Sequence, residues 1–189
     1  LTTTATDLGV SLLVGSIDIA DRVPEQYRNS AFLVTGAGVQ ERYDKIQLVP
    51  FGEYVPLAAL LGFVRGWAEF IADLEPGSRA VVFPGPPAPF GVVICYEGIF
   101  PDLFRQFVTN GARVMVNMTN DGWFGRTSGP YQHLAMYPFR AVEHRIAVGA
   151  AEVEVEVLGE RLEVDVRRVD VREELGSRLR VHVTRGDRD

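Results

Sequence analysis

Cys95 is the single cysteine of this 189-residue chain and Lys45 its single lysine; the other 18 basic residues are arginine. A thiolate is a strong nucleophile, and a lysine ammonium beside one can keep it ionised and stabilise the oxyanion of a tetrahedral intermediate. A guanidinium does not replace that amine in acid–base work. Cys95 closes the apolar run Gly91-Val-Val-Ile-Cys95, at the kind of strand end where open α/β sheets place their ligands. A helix follows within a few residues, and its dipole favours a thiolate. Glu97, two residues on, is placed to orient a bound group or a neighbouring base; Glu53, eight residues past Lys45, is placed to pair with it or to act as a second carboxylate. Position alone leaves plainer alternatives open: a small buried core cysteine, a surface lysine and an exposed loop glutamate. Trp123 and Phe124, in Asn120-Asp-Gly-Trp-Phe-Gly125, fit the core and the lining of an apolar pocket equally well. His133, His144 and His182 make no convincing triad with Cys95. A lone cysteine without HxxxH or CxxC spacing argues against zinc, and Gly122-Trp-Phe-Gly125 lacks the lysine of a phosphate loop. No metal or cofactor is expected.

Two features of composition narrow the function class. The formal net charge is −6, the opposite of the basic footprint of a nucleic-acid-binding domain. No run approaches the roughly 18 apolar residues of a membrane-spanning helix; the longest, Leu57 to Val64, is short and holds a glycine. Leu1 to Gly9 has neither an initiator methionine nor the features of a signal peptide, and reads as the interior of a longer protein. Composition changes abruptly near residue 150. All the aromatic residues precede it, and 19 of the last 39 positions are charged. We therefore divide the chain into residues 1–150 and a Val/Glu/Arg-rich tail, 151–189.

The elements that must position these side chains follow from apolar patterning. Val10 to Gly15, Ser30 to Thr35, Gly91 to Cys95 and Ala112 to Met118 read as strands. A turn at Gly36-Ala-Gly38 leads to Val39–Tyr43, and Pro84 to Pro89 reads as a stiff loop. Gly91 to Cys95 is continuous rather than alternating, as expected of a strand covered on both faces. Leu103, Phe104, Phe107 and Val108 recur at helical spacing before the stop signal Asn110-Gly111. Ser128 to Pro130 is placed to cap a helix running to about Arg145, which Pro138 would kink or interrupt. The class is α/β with a layered sheet. In the tail, Glu152–Val157, Leu162–Val166 and Leu179–Val183 alternate strictly, and Leu158-Gly-Glu160 would turn the first into the second.

Three words of sequence, Tyr43-Asp-Lys-Ile-Gln-Leu-Val-Pro-Phe-Gly-Glu-Tyr-Val-Pro56, Ile94-Cys-Tyr-Glu97 and Asn120-Asp-Gly-Trp-Phe-Gly125, together resemble the apolipoprotein N-acyltransferases. These are a membrane-bound branch of the nitrilase (carbon–nitrogen hydrolase) superfamily. Gly15-Ser16, Arg28-Asn-Ser-Ala31, Phe100-Pro101, Gln132-His133 and Phe139-Arg-Ala-Val-Glu143 match in the same order, so the similarity covers about residues 8 to 148. The resemblance implies an αββα sandwich, incomplete at both ends, with a Glu–Lys–Cys catalytic set. Cys95 would be the nucleophile, and Lys45 the cation supporting the tetrahedral intermediate. Glu53 and Glu97 match two further active-site glutamates, and the backbone N–H of Tyr96 would complete the oxyanion hole. Trp123 and Phe124 would contact substrate.

The implied chemistry moves an acyl chain from a phospholipid to Cys95 and then to the α-amine of a diacylglyceryl-cysteine lipoprotein. No cofactor, metal or nucleic acid is involved, and Leu57 to Phe70 would lie near the lipid entrance. The implied setting is the bacterial inner membrane, with the catalytic domain on the periplasmic side. The family's general-base glutamate precedes the region matching residues 8–15, and its membrane helices match nothing in this chain. The tail departs from the family after Glu143-His-Arg145, as a frame change in a GC-rich gene would produce. The chain alone is therefore expected to turn over little. Two other readings are a soluble amidase using the same cysteine and a degenerate fragment without catalysis.

Overall fold

The structure, a computed structural model, describes residues 1–22, 25–56, 74–85, 88–119, 127–152, 154–155 and 162–163. The Leu57 to Phe70 segment, the Asn120 to Gly125 word with Trp123 and Phe124, the Leu158 to Glu160 turn and the Leu179–Val183 strand lie outside the described residues.

A first sheet is an antiparallel meander of β1 (Leu12–Arg22), β2 (Glu25–Thr35) and β3 (Gly38–Asp44). β1 runs well beyond the short apolar stretch read from sequence, because Ser16 to Ile19 alternates polar and apolar residues and pairs with β2, the register shifting at Ala20 before Asp21 pairs with Gln26. Arg22 pairs with Glu25 and Thr35 with Gly38, so successive strands pair without an intervening helix, the second junction at the turn read from Gly36-Ala-Gly38. Gly38, at φ 108°, supplies the left-handed backbone that the turn before β3 requires. α1 (Thr2–Leu8) buries Ala5 and approaches so closely that a Cβ on Gly36 would lie 2.5 Å from Thr6 Oγ1.

The second sheet has the order β4 (Val82–Phe83), β5 (Phe90–Ile94), β6 (Val114–Thr119), β7 (Ala147–Glu152). β4 and β5 are antiparallel, pairing Phe83 with Phe90, so the proline-rich loop between them is a hairpin connection. β5, β6 and β7 are parallel. β5 is buried along Gly91 to Ile94, as its unbroken apolar run predicts, whereas β6 alternates between buried and half-buried positions. β8 (Glu154–Val155) and β9 (Leu162–Glu163) pair antiparallel, in line with the hairpin read in the tail.

Helices cover the second sheet. α2 (Pro101–Thr109) begins with Pro at its first positions and Asp102 in the first turn, both favourable at a helix N-terminus, and stops at Asn110-Gly111. It buries Leu103, Phe104 and Phe107. Gly91 has no room for a side chain here: a Cβ would lie 2.6 Å from Met115 Sδ and 2.7 Å from Phe107 Cδ1. The anticipated helix up to Arg145 is two helices, α3 (Gly129–Leu134) and α4 (Tyr137–His144), with Pro138 in the first turn of the second. Proline lacks the N–H of an interior turn, so it starts a helix here rather than bending one. Ser128 occupies the N-cap of α3, but its side chain makes no capping hydrogen bond. Ala31, Leu33 and Tyr43 of the first sheet share one core with Val92, Ile94 and Met115 of the second and with Phe104 and Phe107. The layers are those of a nitrilase-like αββα sandwich.

Candidate active site

Lys45 follows directly on β3. Its backbone is tied on both sides, donating to Asn29 O at 2.8 Å and accepting from Gly77 N at 2.8 Å. The side chain is 1% exposed, and its Nζ lies 2.7 Å from Glu53 Oε2. Burying an ammonium demands a partner of opposite charge, and Val49 to Glu53 folds to provide one. Gly52 N and Glu53 N both donate to Val49 O, closing a tight turn in which Phe51 adopts φ 61°. The turn brings the Glu53 carboxylate back over Val49 N, which donates to Oε2 at 2.9 Å, while Asn29 Nδ2 donates to Oε1 at 3.0 Å.

Cys95 opens a 3₁₀ turn, Cys95–Ile99, directly after β5, with φ 52°. A left-handed conformation is costly for a residue with a Cβ, and such strain concentrates at functional sites. Its side chain is half-buried, and Tyr96 is 37% exposed. Glu97 turns the opposite way and is fully buried. Its Oε1 accepts from Tyr43 Oη at 2.8 Å, Ile46 N at 2.7 Å and Gln47 N at 2.9 Å; its Oε2 accepts from Ile94 N at 2.8 Å. Burial pushes the Glu97 carboxyl above its ordinary value, and the donors from Gln47, Ile94, Tyr43 and Ile46 oppose that rise. Tyr43 is pushed far up by its own burial and by the Glu97 charge, so its hydroxyl stays a donor throughout the physiological range.

The result is one connected site. The residue two after Cys95 holds the two residues that follow Lys45, and Lys45 holds Glu53. Sequence reasoning picked out Cys95, Lys45, Glu53 and Glu97, and the fold joins them. It gave no part to Asn29, Tyr43, Asn117, His133 or Tyr137. Two signals were there to read. Asn117 interrupts an apolar strand, and a buried amide needs partners. His133 and Tyr137 are four residues apart, the spacing that shares a helix face. The backbone contributions of Ile46, Gln47 and Gly77 carry no side-chain signal. Among the described residues no group of His, Cys, Asp and Glu could hold a metal ion, and no helix is long and apolar enough to cross a membrane.

A strand-end cysteine on a strained turn and a buried lysine–glutamate pair thus sit within a sandwich of two sheets. The carbon-nitrogen hydrolase family pattern matches residues 1–169, and the chain belongs to that family. Among curated proteins it is similar to the apolipoprotein N-acyltransferase of Geobacter metallireducens, 52% identical over 122 residues, covering 64% of this chain and 23% of that protein. The proteins of the same name from Bdellovibrio bacteriovorus and Rhizobium rhizogenes are each 38% identical, over 123 and 141 residues, covering 62% and 70% of this chain and 22% and 26% of theirs. The chain thus spans about a quarter of the length of the relatives it matches. Among solved structures it is similar to an amidase from Nesterenkonia sp. AN1 with acrylamide added at its active-site cysteine. Identity there is 26%, TM-score 0.57, covering 80% of this chain and 52% of that one.

Proposed function

We propose that the chain carries the nucleophile and oxyanion machinery of an apolipoprotein N-acyltransferase. The observation that carries this reading is the tie from Cys95 through Glu97 to Lys45, in a chain 52% identical over 122 residues to a relative of that name. The Cys95 thiolate attacks the carbonyl carbon of a phospholipid acyl ester. A C–S bond forms, the C–O bond breaks, and the lysophospholipid leaves as an alcohol once its alkoxide takes a proton. The α-amine of a diacylglyceryl-cysteine lipoprotein then attacks the thioester. The new C–N bond replaces the C–S bond, the amine loses a proton and the thiol is regenerated. Lys45 and the Tyr96 N–H stabilise the oxyanion at both steps.

Both oxygens of Glu53 are engaged by Lys45, Val49 and Asn29, and both of Glu97 by the donors named above, so these two carboxylates position rather than abstract protons. The base is assigned to the upstream glutamate that the resemblance implies. Trp123 and Phe124 are assigned, on their motif, to contact with substrate, and the setting to the inner membrane with a periplasmic catalytic domain. Residues 1–150 are assigned to the catalytic domain and 151–189 to a divergent tail, with β7 crossing that boundary to Glu152 and the family pattern running on to residue 169.

The test incubates the chain with acyl-labelled phospholipid in detergent micelles, followed by intact-mass analysis and addition of a diacylglyceryl-cysteine peptide. A thioester on Cys95 that the peptide discharges slowly, without rapid turnover, is the expected result for a chain whose base is assigned upstream. Ammonia released from small amides, with no acylation from phospholipid, would overturn it in favour of an amidase like the Nesterenkonia enzyme.

A further inference from the structure

The Cys95 carbonyl oxygen is held from behind. His133 Nε2 lies 2.8 Å from it and Asn117 Nδ2 donates to it at 3.1 Å. A carbonyl has no proton to give, so His133 carries its hydrogen on Nε2. Tyr137 Oη accepts from Asn117 Nδ2 and lies 3.2 Å from His133 Nε2, bridging the two donors. All three side chains are buried, contributed by β6, α3 and α4. The cluster presses directly on the 3₁₀ turn: a Cβ on Gly98 would lie 2.6 Å from Asn117 Nδ2 and 2.6 Å from Tyr137 Cε1.

Packing alone does not account for this cluster. Asn117 Oδ1 is buried and has no partner among the described residues. An orphaned buried acceptor is destabilising, and an apolar residue of similar size would fill the position without that penalty. What the amide supplies is its N–H group, aimed at the Cys95 carbonyl.

The C=O of Cys95 and the N–H of Tyr96 belong to one peptide unit. That unit is planar, and in its trans form the two groups point in opposite directions. Fixing the oxygen on one side therefore fixes the N–H on the other. We infer that His133, Asn117 and Tyr137 form a clamp that aims the Tyr96 N–H at the oxyanion, with His133 as a positioning residue for acyl transfer. The inference rests on the reading of Cys95 as nucleophile and of the Tyr96 N–H as an oxyanion donor. It adds the residues that aim that donor.

Two reactions of the same sulfur separate the clamp from general folding. Acylation by p-nitrophenyl butyrate passes through an oxyanion, whereas alkylation by iodoacetamide is a displacement that develops none at the reacting carbon. Cys95 is the only cysteine, so intact mass reports on it alone. His133→Leu is expected to slow acylation about 10- to 100-fold, a share of the loss typical for an oxyanion donor, and to change alkylation less than about 3-fold. His133→Gln, which keeps an N–H at similar reach, is expected to restore most of the acylation rate. Tyr137→Phe, which keeps the ring and its packing, is expected to fall between them. Equal acylation in wild type and His133→Leu overturns the clamp alone. Acylation and alkylation falling together, with no rescue by His133→Gln, assigns the cluster to folding and also overturns it. A wild-type chain that alkylates but never acylates overturns both the clamp and the acyl-transfer reading beneath it.

Discussion

The backbone N–H of Ile46 donates to Glu97 Oε1 at 2.7 Å. Ile46 follows the only lysine and Glu97 lies two residues after the only cysteine, so this bond holds two chemically complementary loops in register. Gln47 N and Tyr43 Oη converge on the same oxygen. A carboxylate taking several donors in a dry site is rigid, because each donor left unmade would be a buried, unpaired polar group.

Glu97→Gln therefore does more than remove a charge. Its amide presents an N–H₂ where the structure supplies only donors. We expect a loss of about 3 kcal/mol or more in denaturant unfolding, together with loss of acylation at Cys95. A variant of unchanged stability would contradict the arrangement. Tyr43→Phe removes one donor to a charged acceptor and should cost about 2 kcal/mol by the same measurement.

Lys45→Arg tests whether position 45 requires an amine. The side chain is fully buried against Glu53, and a guanidinium is larger, planar and differently directed. Acylation by p-nitrophenyl butyrate should fall about 10²–10³-fold, the usual cost of losing one oxyanion donor. A rate within a few-fold of wild type would place the lysine outside the reaction.

Cys95→Gly and Cys95→Ala separate backbone strain from chemistry. Both lose the nucleophile. At φ 52° only glycine is relieved of the Cβ clash, so Cys95→Gly should unfold at higher denaturant than Cys95→Ala, by about 1 kcal/mol. Equal stability would show that the turn relaxes once the sulfur is gone.

Asp44 sets a pH dependence on the opposite face of β3 from Tyr43. Burial alone would raise its pKa, but the Ser30 hydroxyl, Arg42 and Arg28 hold the carboxyl below its ordinary 3.8. A lowered acid stabilises the folded state above its unfolded value, and the contribution is lost as pH falls through the folded one. Acid unfolding followed by circular dichroism should steepen below about pH 4. Asp44→Asn should flatten that limb, at a cost near neutrality of less than about 1 kcal/mol, since the network is partly solvated.

Much of the second sheet is legible in the residues themselves. Gly91 to Ile94 is apolar without a break because both faces are covered, and Leu103, Phe104 and Phe107 mark the buried side of α2 by their spacing. Asn110-Gly111 and Pro138 punctuate helices for reasons local to their own backbones. The first sheet is less legible, since the alternation of Ser16 to Ile19 is short and does not by itself identify β2 as its partner. Of the site, the side chains with reactive groups could be named in advance. The roles of Asn29, Tyr43, Asn117 and His133 could not, because each depends on a partner far away in sequence.

The sequence by itself determined which groups are available: one thiol, one amine and two well-spaced carboxylates, in words specific enough to indicate a family. Only the tertiary structure decided what those groups do to one another. It buried Lys45 against Glu53, turned Glu97 inward to grip the backbone after Lys45, and set Cys95 in a left-handed turn held from behind by His133 and Asn117. The division has a physical cause. Reactivity belongs to a side chain and is written in its identity. Direction comes from hydrogen bonds between peptide groups and distant side chains, which exist only once the two sheets and their covering helices have packed.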